Sequence, residues 1–497
     1  MDRSETSPSK DVFAADSLAL GMAVVLAMTI IQRGLGFFRG LWFCRALDDS
    51  VVGQWSMAYD FITVITPVLM LGIPGTLPRY VEHYRGGGHL RQFVRQTASV
   101  TAALAAVMLA IMAFFPSWIG WWVFLEPSGL DTVMSVGLGV LAIVVFNYVY
   151  HLISSLRLIR IASWMQFTQS VGFTVLALIT LFVGGRLNAL IHCFTFATTL
   201  AVLPGWWVLR RGWKSLHVSG QPMPSSNLWR RVIPYMTALW MMNLLTNTFA
   251  LSDRYMILHW MPGEPEQTQA AVGQYHSSRI IPMLFCSLAS MISSVLMPYL
   301  TADFEAGRRI KMKRDLRLAI MGVAGLFTGG AAVTLWIAPW LFEGMLGGRY
   351  GQGLELMPMA YVACIWISTC TIGQDYLWVV ERGKWVAFWV GIGLLINIAL
   401  NAYWMPISGL FGAVSATLVA NSVVSGGCLI SMHLTGYRLR WVDLAGFLLP
   451  AALLISPTLA LTASIACGLG MAESRRWAVR LWHEATRRLN RRAAAAC

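Results

Sequence analysis

Charge is what this chain has least of. Acidic and basic residues together make up only 12% of its 497 residues, and aspartate plus glutamate number just 23. An ordinary soluble domain carries ~25% charged residues, so a soluble enzyme and a disordered tail are both excluded. Cysteine is sparse and shows no paired spacing: Cys44, Cys193, Cys286, Cys364, Cys370, Cys428, Cys467 and Cys497 lie mostly within apolar runs. They read as small lipid-compatible fillers, with no disulfide framework and no metal site. Catalytic signatures are missing too. There is no Walker-type phosphate loop, no HExxH zinc helix, no GxSxG elbow and no pair of CxxC motifs. No secretory leader is expected, because a polar stretch precedes the first apolar run and no small-residue cleavage site follows it.

What the sequence does have is apolar length. Hydrophobic residues make up 57% of it, arranged in runs at 18–38, 52–73, 98–115, 133–152, 164–183 and 189–208. After a polar gap come runs at 232–258, 272–300, 318–341, 354–378, 386–404 and 410–434. Each is close to the ~20 residues that a helix needs to cross a bilayer. Backbone in lipid must satisfy its own hydrogen bonds, so the runs are expected to be helices, and the lack of two-residue alternation excludes a barrel. The predicted class is an all-α polytopic membrane protein. A thirteenth run, 442–469, is expected to bend near Pro457 into a hairpin or re-entrant element, although a single span is the alternative.

The net charge of +14 has a clear distribution. Loops on one side, with the N-terminal segment, hold 23 of the 37 Lys and Arg; the opposite loops hold only Arg39, Arg45, Arg186 and Arg349. Positive charge stays cytoplasmic, so the N-terminus and the gap near residue 220 are placed in the cytoplasm of a multi-pass inner (plasma) membrane protein. Seven arginines lie beyond residue 470. Trp477, Leu481, Trp482 and Leu489 recur among them at helical spacing, which predicts an amphipathic helix on an anionic membrane surface or a docking element for a partner. The hairpin would return this tail to the cytoplasm.

Sliding the chain by about 220 residues aligns Val52-Gly53-Gln54-Trp55 with Val272-Gly273-Gln274-Tyr275, Pro78 with Pro298, and Gly87 with Gly307; one residue further on, Arg33 aligns with Arg254. The pattern predicts two parallel six-helix lobes, 1–220 and 221–437, with 438–497 as an added hydrophobic segment and tail. Parallel repeats are a transporter architecture with the site near the midplane. Pro67, Pro74, Pro234, Pro282 and Pro358 are candidate bending points.

Ionisable residues inside apolar runs cost ~2.5–3.5 kcal/mol each at the bilayer centre and normally face a cavity or one another. Six stand out: Arg33, Asp60, Asp253, Arg254, Arg279 and Asp375. A guanidinium stays charged, and its fork matches a phosphate oxygen pair, so Arg33, Arg254 and Arg279 are the candidate head-group ligands. Asp60, Asp375 and Asp253 are candidates for coupling or gating, with plain salt bridging as the alternative, above all for Asp253. His192 and His276 read equally well as hydrogen-bonded structural residues.

Several segments then show a resemblance. They are Leu71-Gly72-Ile73-Pro74-Gly75-Thr76-Leu77-Pro78-Arg79-Tyr80, Ser252-Asp253-Arg254-Tyr255, Val272-Gly273-Gln274-Tyr275, Arg382-Gly383-Lys384-Trp385 with Asn397 and Asn401, and the segment from Pro406 to Ala413. Over residues 15–435 the chain resembles the multidrug/oligosaccharidyl-lipid/polysaccharide (MOP) exporter superfamily, in its polysaccharide-biosynthesis, O-antigen-type flippase branch. The resemblance implies two six-helix bundles, MATE-like, around a cavity. It implies a flippase, not an enzyme, that moves a polyprenyl-phosphate or pyrophosphate-linked glycan by alternating access coupled to an H+ or Na+ gradient, with cationic cavity residues on the head group. No other cofactor is implied. The expected partners are the lipid-linked glycan, membrane lipids and polysaccharide-assembly proteins, and no nucleic acid. The rival readings are a MATE-type small-molecule or cation antiporter and a membrane glycan polymerase or glycosyltransferase.

Overall fold

The computed structural model describes residues 18–213, 223–348 and 350–470, and every regular element among them is helical. The chain forms two compact units, Met1–Gly273 and Gln274–Cys497. The first holds α1 (Leu18–Ala46), α2 (Asp49–Met70), α3 (Ile73–Gly86), α4 (Leu90–Phe114), α5 (Pro116–Phe124), α6 (Leu130–Ser155), α7 (Ile159–Phe182), α8 (Leu187–Gly212) and α9 (Ser225–Trp260). Helix α10 (Pro265–Arg279) crosses into the second unit. There follow α11 (Pro282–Glu305), α12 (Arg309–Leu346), α13 (Gly351–Val379), α14 (Lys384–Leu434), α15 (Trp441–Leu448), a 3-10 turn (Leu449–Leu454) and α16 (Pro457–Gly470). The segment near residue 220, the N-terminal arginine and lysine, Arg349 and the arginine-rich tail with its expected amphipathic helix lie outside the described residues.

Nine helices among the described residues are long and apolar enough to cross a membrane. Helices α1 and α9 cover the first and seventh apolar runs but are not among the nine. Helix α9 carries Asn243, Thr246, Asn247, Asp253 and Arg254 along its length.

Breaks fall where backbone chemistry puts them. The second run ends at Leu71 and Gly72, both with positive φ, and the chain restarts as α3 with Pro74 in its first turn. The eighth run is interrupted at Ile280 and Ile281, ahead of Pro282, which opens α11. Pro67, Pro234 and Pro358 lie inside continuous helices. Within Lys384–Leu434 the eleventh and twelfth runs are two helices that meet at a kink, where Gly409 takes φ 55° and ψ −131° just after Pro406. Such a conformation is open essentially to glycine alone.

Helix α9 packs on α2 and α3 within the first unit. In the same unit Gly53 of α2 meets α10 so closely that a Cβ there would lie 1.9 Å from the Gln269 carbonyl oxygen, and one on Gly273 would lie 2.4 Å from that of Asp49. Residue 53 faces 269 and residue 49 faces 273, so the two helices run in opposite directions at this crossing. Gln54 Nε2 donates to Gln269 Oε1 at 2.8 Å, and Gln269 Nε2 donates to the Phe124 carbonyl at 2.7 Å, which closes the crossing on both sides.

In the second unit the segment after α14 follows α12. Asp443 accepts from Arg317 Nε at 2.9 Å, from Tyr437 Oη at 3.2 Å and from the Arg440 amide at 2.7 Å. Burial and the Asp443 carboxylate push the Tyr437 hydroxyl above the ordinary tyrosine range. Further along, Gly446 packs against Met321 and Ala324, and Leu461 and Ser464 pack against Gly329. The chain breaks at Pro457, where proline restricts the residue before it and ends the 3-10 turn. Between Gly446 and Ser464 the partner on α12 moves only from Ala324 to Gly329, and α16 packs on the 3-10 turn as well as on α12.

Candidate functional site

The first unit joins two of the expected residues. Asp60, on α2, and Arg254, on α9, form an ion pair in which Nη1 lies 2.5 Å from the carboxylate oxygens. The Asp60 side chain is 3% exposed and that of Arg254 14%. The pair explains why α9 belongs with α2 and α3: opposite charges on two apolar helices lower their cost by meeting. Arg254 is only partly satisfied, because its Nε is buried without an acceptor. Asp253, the next residue, is buried as well. Arg33 lies on an exposed position of α1 and makes no ion pair among the described residues.

Arg279 belongs to the second unit. It closes α10, hydrogen-bonds the Tyr275 hydroxyl and lies 5.2 Å from the centre of that ring. Asp375, on α13, is 5% exposed. Its Oδ1 accepts from Ser293 Oγ of α11 at 2.9 Å, while Oδ2 is buried without a partner. A carboxylate held by one hydroxyl and no cation can take up a small cation or a proton. His192 lies 3.3 Å from Ser135 Oγ, within hydrogen-bond reach of a structural partner. Among the described residues no group of three or more His, Cys, Asp or Glu is placed to hold a metal ion.

Arg39 and Arg45, assigned to an outer loop, lie within α1, which outruns its apolar stretch and continues to Ala46. The residues after Phe38 are nearly all apolar, so the helix goes on through Arg39. Arg39 Nη1 donates to Thr174 Oγ1 of α7 at 3.1 Å, and its guanidinium lies 4.4 Å from the Phe173 ring centre. Thr174 Oγ1 in turn donates to the Ser170 carbonyl at 2.7 Å, so the acceptor is itself held. Phe173 belongs to a cluster with Phe43, Trp55, Tyr59 and Phe194, in which Trp55 and Phe173 lie 5.3 Å apart and Tyr59 and Phe194 5.7 Å.

Residues 18–302 match the family model described as polysaccharide biosynthesis protein. No curated protein matches the sequence. Among solved structures, the fold is similar to the lipid II flippase MurJ in an inward closed conformation, with a TM-score of 0.69 at 11% identity over 90% of this chain and 97% of that one. It is also similar to an inward-facing multidrug resistance MATE family transporter of the MOP superfamily, with a TM-score of 0.65 at 12% identity over 84% and 98%. A third similar structure is a MOP superfamily transporter from Pyrococcus furiosus Vc1 (DSM3638), described by a binding pocket of reverse polarity, with a TM-score of 0.56 at 11% identity over 87% and 100%. With its all-helical architecture, its apolar spans and a family match over more than half its length, this multi-pass membrane protein has the MOP fold and belongs to the polysaccharide biosynthesis protein family.

Proposed function

We propose that the protein is a flippase for a polyprenyl-phosphate or pyrophosphate-linked glycan, with Arg254 as a head-group ligand and the aspartates as its coupling partners. The observation that supports this most directly is the half-satisfied state of Arg254, whose Nη1 is held by Asp60 while Nε is buried with no acceptor. A buried donor without a partner costs about 1–3 kcal/mol, and an arriving phosphate oxygen relieves that cost. The same anion competes with Asp60 for the guanidinium. Asp60 is then left to take a proton, so anion binding and proton uptake are linked through one side chain. Asp375, without a cationic partner in the second unit, is the proposed seat of the coupling ion, H+ or Na+. Arg33 and Arg279 are further head-group ligands in this reading.

A cationic-drug antiporter would use an acidic cavity, whereas the charges inside the apolar runs are balanced, Arg33, Arg254 and Arg279 against Asp60, Asp253 and Asp375. The family membership also favours a polysaccharide role. The test is head-group translocation in proteoliposomes with a polyprenyl-pyrophosphate glycan. Arg254→Gln is expected to abolish it while membrane insertion is kept. Full translocation by an Arg254→Ala, Arg279→Ala double variant refutes the head-group assignment.

A further inference from the structure

A cavity in the second unit lies among α12, α13, α14 and α15, and sulfur dominates its chemistry. Cys370 of α13 lines it together with Cys428 and Met432 of α14. Cys428 and Met432 are four residues apart, so one face of α14 presents both; spacing along the chain gives no hint that Cys370 joins them. The Cys370 and Cys428 thiols hydrogen-bond each other. Cys428 and Met432 are buried, and Cys370 is the most exposed of the three. Met432 comes in from the next turn: its Sδ lies 3.3 Å from the place that a Cβ on Gly373 would take, and Gly373 is one turn beyond Cys370. The bare glycine lets the thioether reach that wall. The oxygen groups around the cavity are engaged elsewhere. Thr369 Oγ1 donates to the Ile365 and Trp366 carbonyls at 3.1 and 3.0 Å, and Ser425 Oγ donates to the Trp366 carbonyl at 2.9 Å. Asp443 is held by Arg317, Tyr437 and the Arg440 amide. Two thiols and a thioether are what the cavity has to offer an incoming group.

We propose that Cys370, Cys428 and Met432 bind one soft monovalent cation of the Cu(I) class, at a site that stands independently of the flippase reading. Thiolate and thioether sulfur select Cu(I), whereas Mg2+, Ca2+ and Mn2+ call for carboxylate, carbonyl or water oxygen. Charge balance points the same way, because a net charge inside an apolar segment is costly. Cu(I) avoids that cost by exchange. One thiol gives up its proton to solvent, a Cu–S bond forms where the S–H bond was, no electron is transferred, and the charge of the site is unchanged. The second thiol keeps its proton and donates it in a hydrogen bond to the new thiolate, while the Met432 thioether completes the coordination as a neutral ligand. Zn2+ carries one more charge and takes four ligands in a closed site, which three sulfurs beside engaged oxygens do not supply. The bound ion would tie α13 to α14 at the level of Gly373.

The test uses the full chain in detergent micelles, with Cu(I) maintained by ascorbate and a coloured Cu(I) chelator as competitor. The wild-type protein is expected to hold one Cu(I) per chain more than the Cys370→Ser, Cys428→Ser double variant. Losing even an outer-shell partner costs a metal site about 10–100-fold in affinity, so Met432→Leu, which conserves volume, should keep that ion but hold it at least about tenfold more weakly. Cys193→Ser, in the first unit, should change neither content nor affinity. Thermal unfolding without metal shows that each variant is folded; with Cu(I) the wild-type transition should rise by mass action, and that of the double variant should not. Equal Cu(I) content in the wild-type and double-variant proteins overturns the proposal. So does an unchanged affinity in Met432→Leu, which decides the matter alone if the cysteine variants fail to fold. Uptake of Zn2+ at this site in preference to Cu(I) overturns it as well. None of these outcomes bears on glycan translocation, and loss of translocation activity bears on none of them.

Discussion

Replacing Asp60 by asparagine leaves Arg254 between helices without its counter-charge. The arginine side chain is 14% exposed and its Nε already lacks an acceptor, so little water is at hand to replace the carboxylate. Removing one partner of a buried ion pair costs about 3–5 kcal/mol, a large share of the roughly 5–15 kcal/mol that holds an ordinary domain together. Asp60→Asn is therefore expected to destabilise the protein by about 3 kcal/mol. Arg254→Gln should cost a similar amount, about 3 kcal/mol, because it leaves the 3% exposed Asp60 carboxylate without its cation. The double variant removes both charges and should fall no further than the worse single one, so the coupling energy in the cycle is at least about 3 kcal/mol. The measurement is denaturant unfolding in one fixed micelle composition, followed by tryptophan fluorescence, for all four proteins of the cycle. If the double variant loses the sum of the two single losses, the residues act independently. The exchange of Arg254 between Asp60 and a phosphate then fails with them.

Further outcomes follow from the same geometry. Gly53→Ala or Gly273→Ala would place a carbon about 2 Å from a backbone oxygen, and forced overpacking typically costs about 1–3 kcal/mol; thermal unfolding should drop for both, while a wild-type transition refutes the tight crossing. Asp375→Asn should leave head-group binding intact but make translocation insensitive to an imposed H+ or Na+ gradient, as read by a fluorescent ion indicator in the same vesicles; retained gradient dependence removes Asp375 from coupling. Asp443→Asn breaks the link to Arg317 and weakens the hold on Tyr437, a loss of about 3 kcal/mol for a buried pair. Limited proteolysis between α14 and α15 should then speed up. A reporter fused directly after Gly470 should lie on the Arg309 side of α12 if the break at Pro457 turns the chain back; a reporter on the opposite side refutes the hairpin.

The helical class and the apolar runs were legible in the sequence because lipid imposes one requirement, an unbroken apolar stretch with paired backbone, that composition alone reports. Breaks were legible where proline causes them, as at Pro282 and Pro457. The separation of the runs on either side of Gly409 was legible too, since a glycine shortly after a proline marks a break between two helices. Helix α5 escaped notice because nine residues, PSWIGWWVF, are too short to register as a span. Within the site, the charged residues were found one at a time, but their partners were not. Asp60 and Arg254 are 194 positions apart, and no local pattern encodes that pairing. Arg39 and Arg45 fall within α1 because a helix need not end where its apolar run does. The packing of the segment after α14 on α12 was likewise invisible, since it runs through small residues, Gly446 and Gly329.

The crossing at Gly53 and Gly273 bears on how this family is to be recognised. The tripeptide Val-Gly-Gln occurs twice in the chain, and each copy supplies a glycine to the same crossing: the Cβ missing from Gly273 would meet both the Asp49 carbonyl and the Gly53 amide nitrogen. A change in either copy is therefore felt by the other, which ties their histories together independently of any cargo. The tripeptide reports how near two helices come and carries no information on what is transported. Two proteins that share it can take unrelated substrates, and their specificity has to be sought at positions that no short motif marks.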